Sequence, residues 1–128
     1  MWLTASTAVP QMLGEAELAE VFSGHEIAGT YGDGSTFRER YDVDGSLSYS
    51  DAKGEAGGQW FVRDGTFCTF YEDLQGGCFT VERMGRNCFD FYFVTSLPGS
   101  IPGGEKPKYT ARAALTDAPS TCPALLQS

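Results

Sequence analysis

Histidine is the side chain best matched to proton transfer near neutral pH, and the chain has one, His25, in the stretch Ser23-Gly24-His25-Glu26. Ser23 and several carboxylates would complete a triad on paper, but nothing around them resembles the strained elbow that a nucleophilic serine needs. His25 therefore reads as a junction residue between two elements. A second place for chemistry is the run from Arg40 through Asp42, Asp44, Gly45 and Ser46 to Asp51, whose oxygens are of the kind hard cations prefer. Set against a calcium loop with its glycine at Gly45, Arg40 falls where the first acidic ligand belongs and Asp51 where a glutamate belongs. A hairpin turn at Asp44-Gly45 accounts for the same residues. Glu82 and Asp90 stand among aromatic residues and are the acids best placed for an unusual environment, although simple alternation turns them outward to solvent. Arg38, Arg40 and Arg112 are expected in surface charge pairs. No spacing of acids marks a glycosidase-type pair. The expectation is a protein that is not an enzyme, with no cofactor and no metal site.

Cys68, Cys78, Cys88 and Cys122 form an even set without a Cys-x-x-Cys pair. With a single histidine, a tetrahedral zinc site would need nearly all of them at irregular spacing. Two disulfides are the better reading, and they point to an oxidising compartment, periplasmic or extracellular. Residues 1–11 lack a charged start and a long apolar stretch, yet Ser6-Thr7-Ala8 before Val9-Pro10 has the small-x-small character of a signal-peptidase site. Residues 1–13 are thus expected to be either a signal-peptide remnant or a flexible terminus, ahead of one domain over 14–128. A net charge of −8 and a pI near 4.4 argue against nucleic acid and anionic membrane as partners. No run approaches the roughly 20 apolar residues of a membrane span.

The elements that must position these residues follow from periodicity. Leu18, Val21 and Phe22 recur at helical spacing, Glu15 and Glu17 suit the amino end, and Gly24 suits the carboxyl end, so a helix is expected over 14–23. Beyond His25 the pattern becomes short β-prone runs at 26–31, 35–42, 46–50, 58–63, 66–71, 77–84, 87–94 and 108–113. Asp33-Gly34, Asp44-Gly45 and Asp64-Gly65 separate such runs and are expected to be tight two-residue hairpin turns. The expected fold is all-β: an antiparallel up-and-down meander of about eight strands, closed as a small calycin-like barrel or left as a curved sheet, with one short N-terminal helix.

Register can be read within the hairpins. A two-residue turn at Asp64-Gly65 pairs Arg63 with Thr66 and puts Trp60, Val62 and Phe67 on one face. Pairing Phe67 with Phe79 in the next hairpin sets Cys68 opposite Cys78 on the other face, which gives the first disulfide. The second, Cys88–Cys122, would fasten the carboxyl tail to the sheet. A three-residue turn through Asn87 keeps Phe79, Val81, Phe89, Phe91 and Phe93 together. The segment 95–107, rich in proline and glycine, is expected to be a long irregular connection near a barrel mouth.

The helix ending in Phe22-Ser23-Gly24, followed by Asp33-Gly34-Ser35-Thr36-Phe37, Tyr41-Asp42-Val43-Asp44-Gly45, Gly58-Gln59-Trp60 and the cysteines Cys68 and Cys78, resembles a group of small exported bacterial single-domain proteins of uncharacterised function. The resemblance covers 15–93, consists mostly of turns, a core tryptophan and a disulfide, and implies fold and compartment but no catalytic residue.

Aromatic density is the most informative feature that remains. Tyr41, Trp60, Phe67, Phe79 and Phe91 are expected to line the interior, either as a packed core or around one small apolar ligand. Phe61, Phe70 and Tyr92 fall on the opposite face and are expected to offer a partner surface, for example to an envelope protein, unless the helix covers them. Two functions are carried forward: an exported binding protein for a small apolar molecule, and an interaction module such as a periplasmic enzyme inhibitor or assembly factor.

Overall fold

A computed structural model of the chain describes residues 11–72, 75–94 and 109–123. The elements are β1 (Gln11–Met12), α1 (Glu15–Phe22), β2 (His25–Tyr31), β3 (Thr36–Tyr41), β4 (Ser46–Asp51), β5 (Gly54–Arg63), β6 (Thr66–Tyr71), β7 (Gly76–Gly85), β8 (Cys88–Phe93) and β9 (Ala111–Leu115). Each strand from β2 to β9 pairs antiparallel with the next, and β2 also pairs with β9, so the eight strands close into a barrel. Closure leaves no unpaired sheet edge along the meander. Residues 1–10 of the expected signal-peptide remnant, the connection 95–107 and the tip of the β6–β7 loop lie outside the described residues; the last strand, expected over 108–113, runs Ala111–Leu115.

The three Asp-Gly dipeptides make two kinds of turn. Asp64 and Gly65 both have positive φ, 54° and 76°, and join Arg63 to Thr66 as a two-residue turn. At the other two sites only the glycine is left-handed, Gly34 at 92° and Gly45 at 95°. There the amide of Tyr31 bonds to Ser35 and that of Asp42 to Ser46, leaving three-residue loops. The expectation of two-residue turns is corrected there for a local reason. Asp33 and Asp44 use their carboxylates to accept the amides of Ser35 and Ser46, each at 2.9 Å, and this holds the aspartate in the ordinary half of backbone space. The segment weighed as a calcium loop is therefore the end of β3, this turn and β4.

The β7–β8 connection also differs in detail. Gly85 pairs with Cys88 across Arg86-Asn87, while Arg83 pairs with Phe89, so the extra residue sits as a bulge at Met84 and not in the turn. The consequence for packing is the expected one, because Phe79, Val81, Phe89 and Phe91 still share the inner face. Phe93 continues the row but is half exposed, lying over Gly77 at the barrel rim. Both disulfides form as expected, Cys68–Cys78 between β6 and β7 and Cys88–Cys122 from β8 to the tail. They mark a chain that folds under oxidising conditions.

Helix α1 stoppers one end of the barrel. Gly14 donates its amide to Glu17 Oε1 at 2.9 Å to start the helix, and Gly24, at φ 81°, ends it and donates to the carbonyl of Tyr41. Leu18 and Phe22 are fully buried on the inner side. The Phe22 ring lies 5.0–5.9 Å from the rings of Tyr41, Phe67, Phe89 and Phe91, which come from three different strands. Burial of such a ring contributes about 2–3 kcal/mol. Gln11 and Met12 pair with Arg83 and Glu82 of β7, and Leu13 is buried, so ordered structure begins ahead of the expected boundary at residue 14.

Candidate functional site

Strand β3 alternates strictly: Phe37, Glu39 and Tyr41 face the interior, while Thr36, Arg38 and Arg40 face out. The alternation carries a carboxylate into the barrel. Glu39 is buried, and both its oxygens accept phenolic protons: Oε1 from Tyr41 at 2.5 Å and Oε2 from Tyr71 of β6. Desolvation raises the Glu39 pKa above its ordinary value, opposed by the two phenol hydrogen bonds. Burial, together with the negative charge of Glu39, also raises the hydroxyls of Tyr41 and Tyr71, so both remain proton donors.

Beside this cluster lies a cavity of about 50 Å³. Its lining includes Tyr31, Phe37, Glu39, Tyr41, Tyr71 and Phe79, and it contains no lysine or arginine among the described residues. Gly29 lets Phe37 pack close to the wall: a side-chain carbon at that position would stand 2.7–2.8 Å from Ala113 and the Phe37 ring. The cavity lies on the far side of Tyr41, Phe67 and Phe91 from Phe22, toward the end of the barrel that α1 leaves uncovered.

Aromatic rings form a collar at that end. Tyr31 stacks on Phe37 at 4.5 Å, Phe37 on Tyr49 at 6.0 Å, and Tyr49 meets Tyr71 edge-on at 5.6 Å. Their hydroxyls are ordered by a second carboxylate. Tyr49 donates to Asp51 Oδ2 at 2.8 Å, which commits its one proton and makes Tyr31 the donor in the 2.8 Å bond between the two phenols. The same bond holds the Asp51 carboxyl below its ordinary range.

Of the interior residues expected from sequence, Tyr41, Phe67, Phe79 and Phe91 line the cavity. Trp60 is buried but stands apart from it, stacked 5.7 Å from Phe67 with its Nε1 donating to the carbonyl of Asp42. Sequence reasoning missed Glu39, Tyr31, Phe37 and Tyr71 as lining residues. The signal was present in β3, where Phe37 and Tyr41 two positions either side of Glu39 fix its face.

The outward acids need correction. Glu82 and Asp90 do point away from the lumen and stand opposite each other across β7 and β8, but neither is solvated. Asp90 is 1% exposed and receives a bidentate pair from Arg112, Nε to Oδ1 at 2.6 Å and Nη2 to Oδ2 at 2.9 Å. Arg112 is thus part of a buried ion pair and not of a surface one. Arg38 and Arg40 do pair at the surface, with Glu26 and Asp42. His25 sits at the junction of α1 and β2 with Nδ1 3.1 Å from Asp117. Outside the barrel, Phe61 and Phe70 are 38% and 39% exposed and stack at 5.8 Å, 14° from parallel. Tyr92 is half-buried and donates to Glu82 Oε1 at 3.1 Å.

No family model matches the chain, and no curated protein or solved structure is significantly similar to it.

Proposed function

We propose that the chain is a non-catalytic binding protein, exported to the periplasm or the cell exterior, that takes a small, largely apolar ligand into the barrel through its collar end. One observation carries the reading: the barrel is stoppered by α1 at one end, while beneath the aromatic collar at the other it keeps a cavity of about 50 Å³ between apolar rings and one carboxylate. Small barrels either fill completely or keep room for one small guest, with a few polar groups to orient it. The two disulfides support the compartment. The test is to purify the protein from an oxidising compartment and compare native and denatured masses. An added mass released on denaturation, with both bridges intact, is the expected result; an empty protein that takes up no small molecule overturns the reading.

The stacked, exposed Phe61 and Phe70 favour a second reading, an interaction module that meets an envelope protein. Their outer face lies beside the Cys68–Cys78 bridge, since Phe61 pairs with Cys68 and Cys68 with Cys78. A partner recovered from envelope extract by the wild type and lost with Phe61→Ser and Phe70→Ser supports it; recovery unchanged by the substitutions removes it.

A further inference from the structure

The polar group inside the barrel is a carboxylate with no cationic side chain beside it among the described residues lining the cavity. A buried charge without a counter-ion is unfavourable by several kcal/mol even when hydrogen-bonded, and a complementary charge arriving from outside would offset that cost. The two phenols occupy one acceptor position on each Glu39 oxygen, and a carboxylate has about four. Glu39 itself lines the cavity, whose other walls include the rings of Tyr31, Phe37, Tyr71 and Phe79. Its volume, about 50 Å³, is a few times the roughly 10–15 Å³ one water needs. That suits a small polar head with a short carbon chain. The net charge of −8 raises the local concentration of cations and repels anions.

We infer that the ligand is a small organic cation, an alkylammonium whose N–H groups bond to Glu39 while its carbons lie against the ring walls. This inference rests on the pocket reading above and narrows it from an apolar guest to one with a cationic head. It also explains why the two phenols converge on Glu39: they orient the carboxylate before the cation arrives and keep both its oxygens engaged in the empty barrel.

Three probes of nearly equal size and different charge decide it: n-propylammonium, n-propanol and propionate, each titrated at neutral pH into the oxidised full chain. Binding is followed through the ring resonances of Tyr41 and Tyr71. The expected result is saturable binding of n-propylammonium at least about tenfold tighter than n-propanol, with no binding of propionate. Glu39→Gln is expected to reduce the ammonium to the affinity of the alcohol. Equal affinity for alcohol and ammonium, or tight ammonium binding that survives Glu39→Gln, overturns the cation inference while the pocket reading stands. Silence of the barrel rings toward all three probes overturns both. Should Glu39→Gln fail to fold, the wild-type ranking of the three probes still decides the matter, because they differ mainly in charge.

Discussion

Tyr71 reaches across the barrel lumen to Glu39: the two residues lie on β6 and β3, three strands apart in the barrel order, and the phenol donates its proton to the carboxylate Oε2. A contact of this kind ties opposite walls together, and it brings a negative charge into an apolar interior where only hydrogen bonds offset its desolvation. Stability and the proposed ligand recognition are therefore coupled at one residue.

That coupling has a pH signature. Burial raises the Glu39 carboxyl above its ordinary value of 4.5, so the folded state holds the proton more tightly than the unfolded chain. Its contribution to stability is fully present below the unfolded value and is lost as pH rises through the raised folded value. Glu39→Gln removes the loss, so the variant should gain on the wild type as pH is raised from acid to neutral, whatever the offset between the two in acid. Urea denaturation of both proteins across that range checks it. A wild type that gains on the variant with rising pH contradicts the assignment.

The Asp90–Arg112 pair should be intolerant of losing either member. Asp90 is almost wholly enclosed, and Arg112→Ala would leave its carboxyl without the bidentate partner. The expected cost is about 3–5 kcal/mol in chemical denaturation, well above the loss for Arg38→Ala at the surface, where about 0–1 kcal/mol is expected.

Asn87 pins the carboxyl tail. Its Nδ2 donates to the carbonyls of Leu115, Ala118 and Pro119, its Oδ1 accepts the amide of Leu115, and its own amide donates to Thr121 Oγ1. Asn87→Ala orphans several of these groups and should cost about 2–3 kcal/mol. Replacing Cys88 and Cys122 together by serine should cost about 3–4 kcal/mol through the unfolded chain. Thermal unfolding of each variant gives the comparison, and amide exchange at Leu115 should accelerate in both.

Phe22→Ala should open the stoppered end. The ring it removes touches four interior aromatics, so a loss of about 3–5 kcal/mol is expected from the unfilled space. A dye that fluoresces on apolar surfaces should bind the variant and ignore the wild type. An unchanged melting temperature would contradict the stopper role.

Phe61→Ser with Phe70→Ser, by contrast, should leave stability within about 0.5 kcal/mol, because both rings lie on the outer face and are more than a third exposed. Unchanged unfolding with loss of an envelope partner would separate surface function from folding.

Local pattern made much of the architecture legible. Apolar alternation located eight strands, the Asp-Gly pairs located the turns, and the register Phe67 to Phe79 carried the Cys68–Cys78 bridge with it. These features depend on neighbours a few residues apart, and the two-residue period of a strand states which face each side chain takes. The same period applied to Phe37 and Tyr41 puts Glu39 indoors, a consequence that was not drawn from the sequence.

What the chain by itself determined is therefore which residues face inward and which hairpins join. Tertiary structure alone decided closure, through the pairing of β2 with β9, and with it the meeting of Glu39 with Tyr71, the burial of Asp90 against Arg112 and the seating of Phe22. Contacts across a lumen depend on strand tilt and stagger around the whole barrel, quantities set by all eight strands at once and by no local stretch of sequence.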